Sequence, residues 1–267
     1  MQPFLRYQGG KSRLAKKIVA ELPPHKTYVE PMVGGGSVYF AKPPAEREVI
    51  SDSDGNLMNF YKALKKREIS RCDNTPNKKK LLKVRDKRKA GKSLSACEYI
   101  YLNKISFGGK GTSFDPTSPE KCKGKKAKTC GYSSKDQSKY AERLKKTKIE
   151  RGDFRNSIKK YDSKDTVFYL DPPYAGTSTE GYKERDLQPE EVKKAVDKIK
   201  GKFILSYNDT PQNRKIFCPP GKKSYVCKKV KTIYSLDKKN PSMPANELLI
   251  KNYVCKVTKD GKVCKKI

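Results

Sequence analysis

Residues 166–174, Thr166-Val167-Phe168-Tyr169-Leu170-Asp171-Pro172-Pro173-Tyr174, run a short apolar segment straight into an acid, two prolines and an aromatic. The β-branched and aromatic side chains favour a strand, and prolines, which have no N–H to donate, cannot continue its ladder. The stretch therefore reads as a buried strand ending in a stiff turn. That turn offers free carbonyls beside a carboxylate, with an aromatic face next to them. Such a site suits an exocyclic amine and the ring that carries it. Read alone, the stretch also fits a strand followed by an ordinary Pro-rich loop.

Upstream of it, a basic, Gly-containing turn leads into helical spacing at Leu14, Ile18 and Val19, ended by Pro23 and Pro24. Thr27-Tyr28-Val29 reads as a strand, Gly34-Gly35-Gly36 as a tight turn, and Glu48-Val49-Ile50 as a second strand ending at Asp52. Leu57, Phe60, Tyr61 and Leu64 then recur at helical spacing. Downstream, Pro189 to Lys200 reads as a helix with Val192, Ala195, Val196 and Ile199 on one face and Gly201 as its C-terminal cap. Phe203 to Tyr207, Val226 to Tyr234 and Glu247 to Val254 read as strands, the final two as an antiparallel pair. The pattern predicts a doubly wound, Rossmann-like α/β sheet.

The stretch from Asp52 to Asp171 far exceeds one β-α-β crossover, so an inserted module is expected. Residues 72–148 are dense in Lys and Arg with scattered Gly, Ser and Thr. They predict a helical and loop-rich lobe of their own, leaving 1–71 and 149–267 to form the sheet domain. Ser95 followed by Glu98 is a capping-box pattern that opens a helix carrying Ile100, Leu102 and Ile105. Ser106 to Tyr132 reads as a loop too basic to bury.

Across its 267 residues the chain carries 62 Lys plus Arg against 29 Asp plus Glu, a formal net charge of +33, while 34% hydrophobic residues supply a core. So much positive charge repels itself unless a polyanion is near, and nucleic acid is the expected partner. No basic amphipathic helix, signal peptide or long apolar run supports a membrane surface instead. An intracellular, soluble protein with reduced thiols at its eight cysteines is therefore expected. No C-x-x-C pair occurs and His25 is the single histidine, so no metal is expected; a site between Cys122 and Cys130 is the alternative.

Glu30-Pro31-Met32-Val33-Gly34-Gly35-Gly36 follows a strand and precedes a helix, so its glycines allow close approach of a ligand to the backbone. Asp52, at the end of the next strand, stands where an acid commonly accepts hydrogen bonds from ribose hydroxyls. These features fit any adenosine-containing cofactor, or a purely structural turn.

Four stretches then occur in a telling order: Gln2 to Lys17 (QPFLRYQGGKSRLAKK), Tyr28 to Phe40 (YVEPMVGGGSVYF), Asp171 to Tyr174 (DPPY) and Asn246 to Tyr253 (NELLIKNY). In this order they resemble the Dam-type N6-adenine DNA methyltransferases. The resemblance covers both ends of the chain and is thin in the middle. It implies an S-adenosylmethionine-dependent methyltransferase sheet with an inserted target-recognition domain, acting on a flipped adenine in double-stranded DNA. A cognate restriction endonuclease becomes a candidate partner. The resemblance further implies cofactor contacts from Tyr7, Lys11, Glu30, Pro31, Met32, Gly34, Gly36, Asp52, Asp153, Phe154 and Asp171, with Lys11 near the methionine carboxylate and Asp153-Phe154 beside the cofactor adenine. Met32 departs from the Phe usual in the family, as Lys104 and Gly108 depart from Arg and Asn.

Chemistry at the turn follows from the weakness of the N6 amine, whose lone pair is delocalised into the ring. Asp171 and the Pro172 carbonyl would accept its two N–H bonds, and Tyr174 would stack on the base. No covalent enzyme intermediate is required. DNA contacts are expected from Asn103, Lys104, Lys110, Thr112, Lys123, Lys125 and Lys126, with Lys110, Lys121, Lys123, Lys125, Lys126 and Lys128 meeting mainly phosphate. Two alternatives remain: methylation of another exocyclic amine (cytosine N4 or an RNA base), and a catalytically inactive, basic DNA-binding paralogue.

Overall fold

Strand β1 (Thr27–Glu30) pairs in parallel with β2 (Arg47–Asp52) on one side and with β4 (Thr166–Leu170) on the other. Parallel pairing continues to β3 (Lys148–Arg151) beyond β2 and to β5 (Lys202–Asn208) beyond β4. β7 (Met243–Lys251) runs antiparallel between β5 and the edge strand β6 (Val226–Tyr234), giving the order β3-β2-β1-β4-β5-β7-β6. The strand order reverses between β1 and β4, the switch point where loops leaving the carboxyl ends diverge and open a crevice. β7 enters that same end from the opposite direction, so its first residues, not its last, face the crevice.

The computed structural model describes residues 1–115, 134–174, 187–221, 224–234, 243–259 and 261–267. Every residue of β4 is buried, as both faces of a mainly parallel sheet are covered by helices. Truncating one of its large side chains, such as Phe168→Ala, would cost about 3–5 kcal/mol. Among the described residues the α-helices are α1 (Ala15–Glu21), α2 (Ser37–Ala41), α3 (Gly55–Lys65), α4 (Lys78–Lys89), α5 (Ala96–Ile105), α6 (Ser134–Leu144), α7 (Phe154–Tyr161), α8 (Pro189–Val196) and α9 (Pro211–Phe217). A hairpin of β8 (Tyr253–Thr258) and β9 (Gly261–Lys266), which periodicity did not disclose, follows β7.

Helix α5 opens with the expected capping box: Ser95 accepts from the Glu98 N–H and Glu98 accepts from the Ser95 N–H. Leu81 of α4 and Ile100 and Leu102 of α5 are buried in one cluster with Phe60 and Tyr61 of α3. The described helices of the 72–148 block therefore pack onto the sheet domain through a shared core. Its return path is fixed by charge: Glu48 on β2 accepts from Arg143 of α6 at 2.9 Å and from Lys42 at 2.6 Å, all three side chains nearly buried. Each charge has a partner, which is what keeps a buried cluster of this kind tolerable.

Three expectations need correction. Helix α8 stops at Val196 rather than Lys200, and Gly201 is not a left-handed cap. A Cβ at Gly201 would stand 2.5 Å from the carbonyl oxygens of Ser163 and Thr166, so close backbone approach explains that glycine. Among the described residues the cysteines are not reduced: Cys72–Cys97, Cys218–Cys227 and Cys255–Cys264 are disulfides. Strand register sets Cys255 directly opposite Cys264, a proximity that spacing alone did not reveal. Cys122 and Cys130 lie outside the described residues. Among the described residues no helix is long and apolar enough to cross a membrane.

Candidate active site

The carboxyl ends of β1, β2, β4 and β5 and the start of β7 surround a cleft of about 1200 Å³. Asp171 leaves β4 into it because Pro172 and Pro173 cannot extend the ladder. Its side chain is 19% exposed, and the Lys11 ammonium, itself 4% exposed, lies 2.8 Å from its Oδ1. Lys11 also donates to the Gly9 carbonyl at 3.0 Å and stands 4.8 Å from the centre of the Tyr174 ring. Tyr174 stacks on Tyr207 of β5, with centroids 5.1 Å apart and planes 27° from parallel. Its hydroxyl donates to Glu247 Oε2 at 2.5 Å, and the other Glu247 oxygen is 3.8 Å from Lys11.

Electrostatics follow from this crowding of two carboxylates around one ammonium. Burial pushes Asp171 up, Lys11 opposes it and Glu247 adds to it, leaving the group at about 6. Burial alone would lower Lys11, but the charges of Asp171 and Glu247 outweigh it and the ammonium is held on. Glu30, at the end of β1, accepts from the Tyr28 hydroxyl at 2.7 Å. Burial pushes it up to about 8, with the Asp171 charge adding to the effect, so it is largely protonated at neutral pH. The turn thus holds an ionised acceptor at pH 7, with a neutral acid beneath it.

The glycine turn has an internal explanation as well. A Cβ on Gly34 or Gly35 would lie 2.8 Å or 2.7 Å from Tyr7, and one on Gly36 would lie 3.0 Å from Phe40 and from Tyr61. Gly34 and Gly36 also have positive φ, 46° and 68°, which Gly adopts without strain. Asp52 accepts from the Gly34 N–H at 3.1 Å and the Asp54 N–H at 3.0 Å, tying the turn to the end of β2.

This geometry is the context for the chain's similarity to known proteins. A family model of D12 class N6 adenine-specific DNA methyltransferases matches residues 7–236. The chain belongs to that family. Its relatives include a type II methyltransferase, M.MjaIII, of Methanocaldococcus jannaschii, 28% identical over 65% of this chain and 69% of the relative. A DNA adenine methylase of Vibrio cholerae is 28% identical over 66% of each chain, and one of Haemophilus influenzae is 25% identical over 81% of this chain and 82% of the relative. The first two alignments thus span about two thirds of those relatives' length. The expected Dam-type methyltransferase is borne out, and methylation of adenine in DNA is the activity of this D12-class family.

Within this D12-class chain, the cleft gathers Tyr7, Lys11, Glu30, Pro31, Met32, Gly34, Gly36, Asp52, Phe154, Asp171, Pro172 and Tyr174, together with Lys110 and Thr112 of the inserted block. Asp153 is not among the residues lining it. Its carboxylate caps α7, accepting from the Arg155 N–H at 2.7 Å, and pairs with the Arg155 side chain at 2.6 Å. Asn103 is likewise not free to read DNA: it is buried, its Oδ1 accepts from the Arg6 N–H, and its Nδ2 donates to the carbonyls of Arg6 and Gly109. The amide latches the N-terminal motif to the loop after α5. Lys104 turns toward the Phe4 ring, 5.8 Å away. Lys121, Lys123, Lys125, Lys126 and Lys128 lie outside the described residues.

Glu247 and Tyr207 are the site residues that residue-level reading missed. For Glu247 the sign was present: an acid opening the buried run Leu248-Leu249-Ile250, inside a motif otherwise shared with the family. An ionisable group in that setting needs a partner, and finding it required the fold.

Proposed function

We propose that this chain is a site-specific DNA adenine-N6 methyltransferase that uses S-adenosylmethionine, with Asp171 and the Pro172 carbonyl holding the target amine and Tyr174 stacking on the base. The observation that carries the reading is the Asp171–Lys11 contact inside a large cleft at the switch point, which keeps the acceptor ionised and oriented. Bound there, S-adenosylmethionine supplies a sulfonium methyl group. The residues lining the cleft fit that group: Asp52 places a carboxylate at the end of β2, Phe154 and Met32 offer apolar contact, and the Gly34–Gly36 turn forms part of the wall. Lys11, already tied to Asp171, serves the acceptor in this reading at least as directly as a cofactor carboxylate.

Two accepted N–H bonds draw the amine nitrogen toward tetrahedral geometry and aim its lone pair, so orientation supplies much of the acceleration. As N–CH₃ forms, the methyl–sulfur bond breaks and one N6 proton leaves to solvent or to a carboxylate of the turn. An adenine reaches a recessed turn of this kind only after leaving the duplex stack. Residues 72–148 serve as the target-recognition part; Lys110 and Thr112 line the cleft, and phosphate contact is the role assigned to Lys123, Lys125 and Lys126. Double-stranded DNA is the partner, and the M.MjaIII relative's type II description makes a companion endonuclease a further candidate.

Transfer of a labelled methyl group from S-adenosylmethionine to duplex DNA, followed by mapping of N6-methyladenine, tests the reading. Asp171→Ala should abolish transfer while leaving DNA affinity within a few-fold. Label appearing on cytosine N4 or only in RNA would replace the substrate, and substantial turnover by the Ala variant would remove Asp171 from its role.

A further inference from the structure

Strand β7 runs against its neighbours, and in register Glu247 lies opposite Asn208 at the end of β5. That places a fully buried carboxylate at the cleft end of the sheet, ahead of three buried apolar residues. Packing alone would favour an apolar side chain there, because burying a charge is worthwhile only when something specific is gained from its partners. Its partners are Tyr174 on the reacting turn and Lys11 of the N-terminal segment. One oxygen accepts from the Tyr174 hydroxyl at 2.5 Å, and the other is 3.8 Å from the Lys11 ammonium, which in turn is 2.8 Å from Asp171.

We propose that Glu247 is a positioning residue for methyl transfer, a single buried carboxylate that fixes the plane of the Tyr174 ring and holds the Lys11 ammonium against Asp171. The inference rests on the roles given above to Asp171 and Tyr174. With its phenol tied to β7 and its face stacked on Tyr207, the ring cannot swing about its own side-chain torsions. A base entering the turn therefore meets a plane already set, and no ordering is needed at the moment of reaction. Sharing one ammonium between two carboxylates also tunes the acceptor. The charge of Glu247 resists ionisation of Asp171 while Lys11 favours it. The other groups facing this cluster are Tyr169 from β4 and Glu30 from β1, both neutral near pH 7.

The test uses the full-length protein with duplex DNA and labelled S-adenosylmethionine, measuring kcat, KM for DNA and the acid limb of the rate. E247L and Y174F should each lower kcat, by about 10- to 100-fold, with KM for DNA changed only a few-fold. The E247L/Y174F double variant should lose no more than the worse single variant, since both break one hydrogen bond. E247Q keeps an acceptor for the phenol but removes the charge. It should recover most of kcat and move the acid limb to lower pH by ~1 unit. Additive losses in the double variant, or an unmoved acid limb in E247Q, would overturn the proposal. Should E247L fail to fold, E247Q and Y174F still decide the matter. A wild-type protein that transfers no methyl group to adenine would instead overturn the underlying reading, and this proposal with it.

Discussion

Lys11→Met removes the ammonium from between Asp171 and Glu247 while keeping the length and apolar character of the side chain. In the native protein Asp171 ionises at about 6, so roughly nine-tenths of it is charged at pH 7. An opposite charge in direct contact lowers a carboxyl by about 1–3 units, so its loss should raise Asp171 to about 8. The ionised fraction at pH 7 then falls to about one-tenth. If the ionised carboxylate is the acceptor for the amine, the rate at pH 7 drops about ninefold and returns near pH 9. Single-turnover transfer of labelled methyl groups to DNA across this range reads the limb directly, with cofactor and DNA affinities measured beside it. Stability should move in the opposite direction with pH. The folded-state value of Asp171 lies still further above its unfolded one, so stability is retained in acid and lost as pH rises toward 8. Thermal unfolding of the variant should therefore show a larger deficit at pH 9 than at pH 6. A rate that is uniformly reduced, with its acid limb still near 6, would refute the claim that Lys11 controls Asp171.

Asp52→Ala should weaken S-adenosylmethionine binding by about 1–3 kcal/mol, by loss of a ribose acceptor and of the contacts to the Gly34 and Asp54 N–H groups; calorimetric titration of the cofactor checks this, and an unchanged dissociation constant rejects it. Reducing Cys72–Cys97, whose residues are 25 apart, should cost roughly 3 kcal/mol of stability, seen as earlier urea unfolding in the presence of a phosphine reductant. Thiol titration of the native protein should find Cys72, Cys97, Cys218, Cys227, Cys255 and Cys264 unreactive. DNA affinity should fall by about 10³–10⁵ between about 50 and 200 mM salt if some 6–10 phosphates are neutralised, and neutralising Lys123, Lys125 and Lys126 together should flatten that slope without changing the methylated sequence.

Local constraints account for what the amino-acid sequence determined by itself. Pro172 and Pro173 end a strand wherever they stand, Gly34 and Gly36 take a backbone conformation that other residues resist, and Ser95 with Glu98 caps a helix from within one turn. Apolar periodicity adds the strands, so the acceptor turn, the glycine turn and Asp52 were legible at the carboxyl ends of a parallel sheet. Partnerships between remote side chains were not legible. Glu247 meets Tyr174 across 73 positions only because β7 inserts antiparallel between β5 and β6 and delivers its first residues to the crevice. Asn103 became a latch because α5 brings it against the backbone of Arg6, 97 positions away. Asp153 turned to its neighbour Arg155 once it capped a helix, and the cysteines paired where strands and helix ends brought them close. Residue type announces that a buried charge or amide needs a partner, but which partner it finds depends on the order and direction in which the strands pack.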